Sequence, residues 1–361
     1  MRLASINSTA LRVVLTSLIL SGLVSAAPGL SATVSGPDVV TDVKNLHLQV
    51  TMTNTGTEPL KLINDPRGPL TTSPTESFLI SGPNKVDPAF VGISVKYAGV
   101  DFMATNGASN AFTVLGVGKS VVIAHDLSKG YDFGSSGPGK YTFSIVGKFH
   151  RVDSSKHAVS IQATTRSHQL TLKGDLSIAN HQPDMHGLAT FVNCNATQQS
   201  QVNTAITNAK TYVTGSINYL TSHTTGTPRF TTWFGVFQNT RYRAVLSNFN
   251  SLISHGDEFT GWQYNCAPAT GCDPGDVAYV QPTVYGKVYL CGGFWTAPAT
   301  GTDSKAGTLV HEGSHFVATA GTTDIAYGQT DCKQLAISNP NQAIRNADSY
   351  EYFAENTPPL Q

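Results

Sequence analysis

Residues 311–315 read His311-Glu312-Gly313-Ser314-His315, and residues 321–328 read Gly321-Thr322-Thr323-Asp324-Ile325-Ala326-Tyr327-Gly328. On a helix, histidines four apart project from one face. Zinc takes two such nitrogens about 2 Å away in a tetrahedral shell. Glu312 lies beside them, where a carboxylate can take a proton from a metal-activated water. Leu309, Val310 and Phe316 flank the motif, so the pattern predicts a mostly buried helix. Two solvated histidines, the bland alternative, do not suit that setting. Buried histidines with a buried glutamate need a compensating partner, and a metal is the usual one. A catalytic site needs a third protein ligand, which Asp324 offers. The expectation is one zinc ion per chain.

The order of these pieces resembles a known family. H-E-x-x-H followed by G-T-x-D-x-x-Y-G is the signature of the deuterolysin-like metalloendopeptidases, or aspzincins, and Gly321, Thr322, Asp324, Tyr327 and Gly328 match it. The likeness to the fungal peptidyl-Lys metalloendopeptidases runs from about Thr190 to the C-terminus and includes residues 227–235, 288–292 and 347–356. Gly313 departs from the pattern, since the family usually has a small non-Gly residue there. Glycine inside a helix costs about 1 kcal/mol against alanine. It points away from the metal face, so lower stability is expected and lost chemistry is not.

The resemblance implies a zincin arrangement, helices around a small sheet with the H-E-x-x-H on a central helix. It implies zinc held by His311, His315 and Asp324, Glu312 as the base, and Tyr327 facing the developing oxyanion. A packed tyrosine with a satisfied hydroxyl is the other reading of Tyr327. Asp348 and Glu351 share a helical face, and the residues alone favour a capping box there. The resemblance implies instead that both bind the substrate lysine's ammonium after the scissile bond. It also implies disulfides Cys194–Cys266 and Cys272–Cys291, which leaves Cys332 as a buried free thiol.

The chain has 361 residues, zero formal net charge and 13% charged residues, a low proportion that suits a secreted protein. Residues 1–26 carry Arg2 and Arg12, an apolar run at 13–24 and Val24-Ser25-Ala26, which reads as a secretory signal. The run is too short and too broken to span a membrane. All five cysteines lie at 194 or beyond, and an oxidising compartment favours their pairing. Asn195-Ala196-Thr197 is a glycosylation sequon.

Residues 27–189 alternate apolar and polar positions, as at 46–51, 92–97 and 141–146, between Pro/Gly/Asn/Asp clusters. That pattern predicts an antiparallel β-sandwich. From 197 on, apolar residues recur at helical spacing, as at Val202, Ile206, Ala209, Val213, Ile217 and Leu220, with Pro228 expected to end that helix. A second helix is expected over 243–252 and strands over 277–280 and 287–290, with Thr302 or Asp303 capping the metal helix. Helices thus predominate in an α+β catalytic part.

The expected organisation is signal peptide 1–26, β-sandwich propeptide 27–189 and metalloendopeptidase domain 190–361. The alternative for the middle part is a stable substrate- or wall-binding β-domain. His181, Asp184 and His186 in the connecting segment could block the metal in a latent form. Residues 190–361 carry 8 Lys+Arg against 11 Asp+Glu and only four lysines, whereas 27–189 carries ten lysines. A lysine-directed protease would spare the former and cut the latter.

The function expected is a secreted, monomeric zinc endopeptidase cutting on the N-terminal side of lysine. Its partners would be lysine-containing protein or peptide substrates and its own propeptide. No basic stripe or nucleic-acid motif is present, and neither nucleic acid nor membrane is expected as a partner. The rival readings are a deuterolysin-like protease of broader basic-protein specificity and an inactive secreted binding protein.

Overall fold

The structure, a computed structural model, describes residues 27–176, 188–254 and 259–361. The expected signal peptide and the connecting segment with His181, Asp184 and His186 lie outside the described residues. Most of the N-terminal part forms a seven-stranded and a four-stranded sheet, whose facing side chains share one apolar core. The strand His47–Asn54 shows why: Leu48, Val50 and Met52 are fully buried while the residues between them face outward. The pairing is not purely antiparallel. Leu30–Ser35 runs parallel to Ala158–Arg166, and Val39–Asp42 runs parallel to His168–Asp175. Period-two alternation fixes which face is buried but not the direction of the neighbour.

The C-terminal part packs its helices around a second core, built on aromatic residues such as Trp233, Phe234, Phe249, Trp262, Tyr350 and Phe353. Its long helix Ala196–Ser222 begins at Asn195, which forms a capping box with Gln198. That helix ends at Ser222, and Pro228 starts the next one, Pro228–Phe234, instead of ending the first. Proline is favoured at the first helical position, where no backbone N–H is needed. The helix expected at 243–252 spans Asn239–Ser251. Cys194 is bonded to Cys266 and Cys272 to Cys291, while Cys332 is buried and free. Among the described residues, no helix is long and apolar enough to cross a membrane.

A five-stranded sheet joins the two parts. Its order is Thr190–Val192, Gln263–Asn265, Lys287–Leu290, Asp276–Val280, Ser94–Tyr97. The last strand corrects the expectation for residues 92–97. It leaves the N-terminal sheets and pairs antiparallel with Asp276–Val280, with Lys96 opposite Ala278 and Val95 opposite Tyr279. All four of its residues are buried. An open sheet edge binds any extended backbone, so alternation alone could not say which sheet would take this strand.

Candidate active site

The helix Lys305–His315 is buried along its whole length. Its N-cap is Ser304, and neither Thr302 nor Asp303 fills that role. Ser304 Oγ accepts from Gly307 N at 2.9 Å and donates to Glu355 Oε1 at 2.8 Å. After His315 the chain turns back. Gly321 adopts φ +58°, and Thr322 N donates to Ser314 O at 3.1 Å. The returning segment 322–327 is pinned by Asn346, whose Oδ1 accepts from Ile325 N at 3.0 Å and Ala326 N at 2.9 Å. That turn carries Asp324 onto the face that bears both histidines.

His311 Nε2 and His315 Nε2 stand 3.2 and 3.4 Å from Asp324 Oδ1. All three atoms are buried and none makes a hydrogen bond. Leaving them so would be costly unless a cation sat among them. Two ligand atoms each about 2.0–2.1 Å from one ion at the tetrahedral angle stand about 3.3–3.4 Å apart, so the spacing fits zinc. Thr322 O accepts from His315 Nδ1 at 2.9 Å, which fixes that ring's tautomer and turns Nε2 inward. His311 Nδ1 lies 2.8 Å from Asp348 Oδ1 and 3.3 Å from Glu351 Oε2.

Glu312 is fully buried, and burial pushes its carboxyl up to about 7. Its Oε1 accepts from Lys96 N at 3.1 Å, and its Oε2 has no partner among the described residues. Asp324 Oδ2 accepts from Val95 N at 3.0 Å, and Tyr327 Oη donates to Val95 O at 2.5 Å. Tyr327 is otherwise packed, with the Arg67 guanidinium 4.5 Å from its ring centre.

The Lys96 ammonium lies 2.8 Å from Glu351 Oε2, 3.0 Å from Asp348 Oδ1 and 3.3 Å from Asp303 Oδ1. Burial alone would lower its pKa, but Asp348 and Glu351 outweigh that and hold it well above the ordinary value. Asp348 is brought down to about 2; burial opposes this and Lys96 drives it. No capping box forms here. The helix Ala347–Glu355 has Asn346 at its N-cap, and Asp348 Oδ2 accepts from Gly328 N at 2.7 Å.

Gly313 is not a mere stability defect. A Cβ there would come within 2.7 Å of Trp262 Cη2 and 3.2 Å of Leu252 Cδ2. The glycine admits an indole ring that supports the back of the metal helix. Four other residues of the site were not picked out from the sequence for their place here: Lys96, Asp303, Asn346 and Tyr352, whose Oη donates to Asp303 Oδ1 at 2.6 Å. Asp303 had a signal, a carboxylate just before the metal helix, that was assigned to capping. Lys96 had one too, a lysine between Val95 and Tyr97 in a strand whose other positions are apolar or small.

Comparison with known proteins gives the family. Residues 219–355 match the aspzincin family model described as lysine-specific metallo-endopeptidase. The chain is 44% identical over 336 residues to a peptidyl-Lys metalloendopeptidase of Grifola frondosa, covering 93% of this chain and 95% of that one. It is 52% identical over 172 residues to a peptidyl-Lys metalloendopeptidase of Pleurotus ostreatus, covering 48% of this chain and 99% of that one. A solved zinc peptidase from Grifola frondosa is 46% identical, with a TM-score of 0.44, covering 46% of this chain and all of that one. With 44% identity to a peptidyl-Lys metalloendopeptidase over 93% of its length and a donor set that suits zinc, the chain belongs to the aspzincin family and is a zinc metalloendopeptidase.

Proposed function

We propose that this enzyme hydrolyses peptide bonds on the N-terminal side of lysine, after secretion and after loss of residues 27–189. The observation that carries this reading is the seat of the Lys96 ammonium between Asp348 and Glu351, one residue along from the carbonyl that Tyr327 contacts. Lysine's compact ammonium suits a pocket of two or three carboxylates, whereas arginine's broad guanidinium favours a planar fork partner. The relatives' names support the same preference.

His311, His315 and Asp324 would hold the zinc. When bound, the metal polarises a carbonyl and lowers the pKa of a water to near neutrality. Glu312, poised near 7 by burial, takes the proton from water and delivers it to the leaving nitrogen. Tyr327 Oη donates to the carbonyl oxygen as negative charge develops there. Asp348 holds the His311 ring and, with Glu351, the lysine of the substrate.

The Pleurotus relative is matched over a stretch as long as residues 190–361, which supports an active form beginning near Thr190. Disulfides and the sequon at Asn195, whose residue is exposed, suit passage through an oxidising secretory route. The processed enzyme should be assayed on paired peptides differing only in Lys or Arg after the scissile bond. A preference for Lys of at least about 100-fold in kcat/KM is expected from loss of a buried charge match. Equal rates on the two peptides would favour the broader deuterolysin-like specificity.

A further inference from the structure

The strand Ser94–Tyr97 comes from the N-terminal part yet completes the catalytic sheet. It adds to the edge strand Asp276–Val280 as an extended peptide adds to an exposed sheet edge. The contacts converge on the Val95–Lys96 bond and the amide just before it. Tyr327 donates to the carbonyl of Val95, Lys96 N donates to Glu312, and Val95 N donates to Asp324. The Lys96 side chain fills the pocket of Asp348 and Glu351.

We infer that the Val95–Lys96 bond is itself a substrate of the active site it occupies, a self-processing site cut within the same chain. This rests on the lysine-directed activity proposed above. Of the ten lysines between 27 and 189, the other nine are exposed and Lys96 alone is buried, at 1%. Among the described residues its ammonium finds no carboxylate in the N-terminal part; Asp303, Asp348 and Glu351 all belong to the C-terminal part. A strand serving only to join two parts would need no charge at that position, since burying a lysine costs unless it is paired.

The step balances as a hydrolysis. Water adds across the C–N bond, its oxygen going to the Val95 carbonyl carbon and one proton to Lys96 N. The bond breaks, and with the second proton of the water also passing to that nitrogen, a carboxylate is left on Val95 and an α-ammonium on Lys96. Glu312 Oε1, 3.1 Å from that nitrogen, is placed to pass the proton. Until the cut, the strand fills the cleft and excludes other substrates.

The test uses the full chain, purified with a chelator and then given zinc at two protein concentrations tenfold apart. A denatured unrelated protein is added at the end of each time course. Mass spectrometry should find a new N-terminus at Lys96, with the same half-time at both concentrations, and none in the Glu312→Gln chain. Cuts before lysine in the added protein without any Lys96 N-terminus would overturn self-processing while the lysine-directed reading stands. A half-time that lengthens tenfold on dilution would show cutting between molecules and overturn it as well. Cuts unrelated to lysine would overturn both readings. A second readout needs no turnover. In the uncut Glu312→Gln chain, the Val95 and Lys96 amides should exchange hydrogen roughly 100-fold or more slowly than free peptide, and exchange at the free-peptide rate would contradict the docking.

Discussion

Asp348 Oδ1 lies 2.8 Å from His311 Nδ1 and, on its other side, 3.0 Å from the Lys96 ammonium. One carboxylate therefore faces both the His311 ring and the buried ammonium of Lys96. Loss of a carboxylate behind a ligating histidine typically costs 10–100-fold in metal affinity or activity. Asp348→Asn is expected to weaken zinc retention by about that factor and also to erode the preference for lysine. Glu351→Gln, whose Oε2 is nearer the ammonium than the ring, should erode the preference and retain more metal. Metal titration of both purified variants, alongside Lys and Arg peptides, checks this. Equal zinc affinity in the two would detach Asp348 from the metal.

Glu312→Gln should retain zinc and lose turnover. Its carboxylate makes no hydrogen bond to either histidine, and its Oε1 accepts from Lys96 N. Metal content at one per chain with casein hydrolysis below about a thousandth of the parent is expected from loss of a general base. Residual activity well above that level would remove Glu312 from the base role.

Gly313→Ala should destabilise the fold, although alanine is the better helix former by about 1 kcal/mol. The new methyl would press on Trp262, which is already confined by Phe259, Tyr285 and Phe316. Overpacking of this kind costs about 1–3 kcal/mol, so a net loss is predicted. Thermal unfolding decides it, and a raised melting temperature would mean that the indole moves freely.

Acid should loosen the N-terminal part from the catalytic part. Arg67 Nη1 donates to Ile325 O at 3.0 Å across that junction, and Asp65 Oδ2 holds the guanidinium at 2.6 Å. Burial alone would raise the Asp65 pKa, but Arg67 outweighs it and lowers it. A carboxyl lowered on folding contributes stability that is present above its unfolded value, about 3.9, and is lost as pH falls through the folded one. Calorimetry should show the full-length Glu312→Gln chain losing stability as pH falls below about 5. With Asp65→Asn added, the loss over that range should be smaller. Identical curves would assign the acid sensitivity elsewhere.

The metal site was legible because it is local. Two histidines four apart state a helical face, and Asp324 follows within one short turn. The catalytic helix was legible from its motif and apolar flanks, and the strands expected at 277–280 and 287–290 are found at 276–280 and 287–290. What stayed hidden depends on distant partners. Gly313 could be read only as a helix defect, because Trp262 lies 51 positions earlier in the chain. The cap fell to Ser304 because Glu355, from another helix, orients its hydroxyl. The strand around Lys96 reads as one more alternating strand, and main-chain pairing across 180 positions leaves no pattern in side chains.

The most direct test of the account is a map of the bonds that the zinc-loaded, processed enzyme cuts in a fully denatured protein of known sequence, read by mass spectrometry. The account predicts that nearly every internal fragment begins with lysine, that arginine sites survive, and that a chelator abolishes cutting while zinc restores it. Fragments beginning at many residue types, with no excess of lysine, would contradict it.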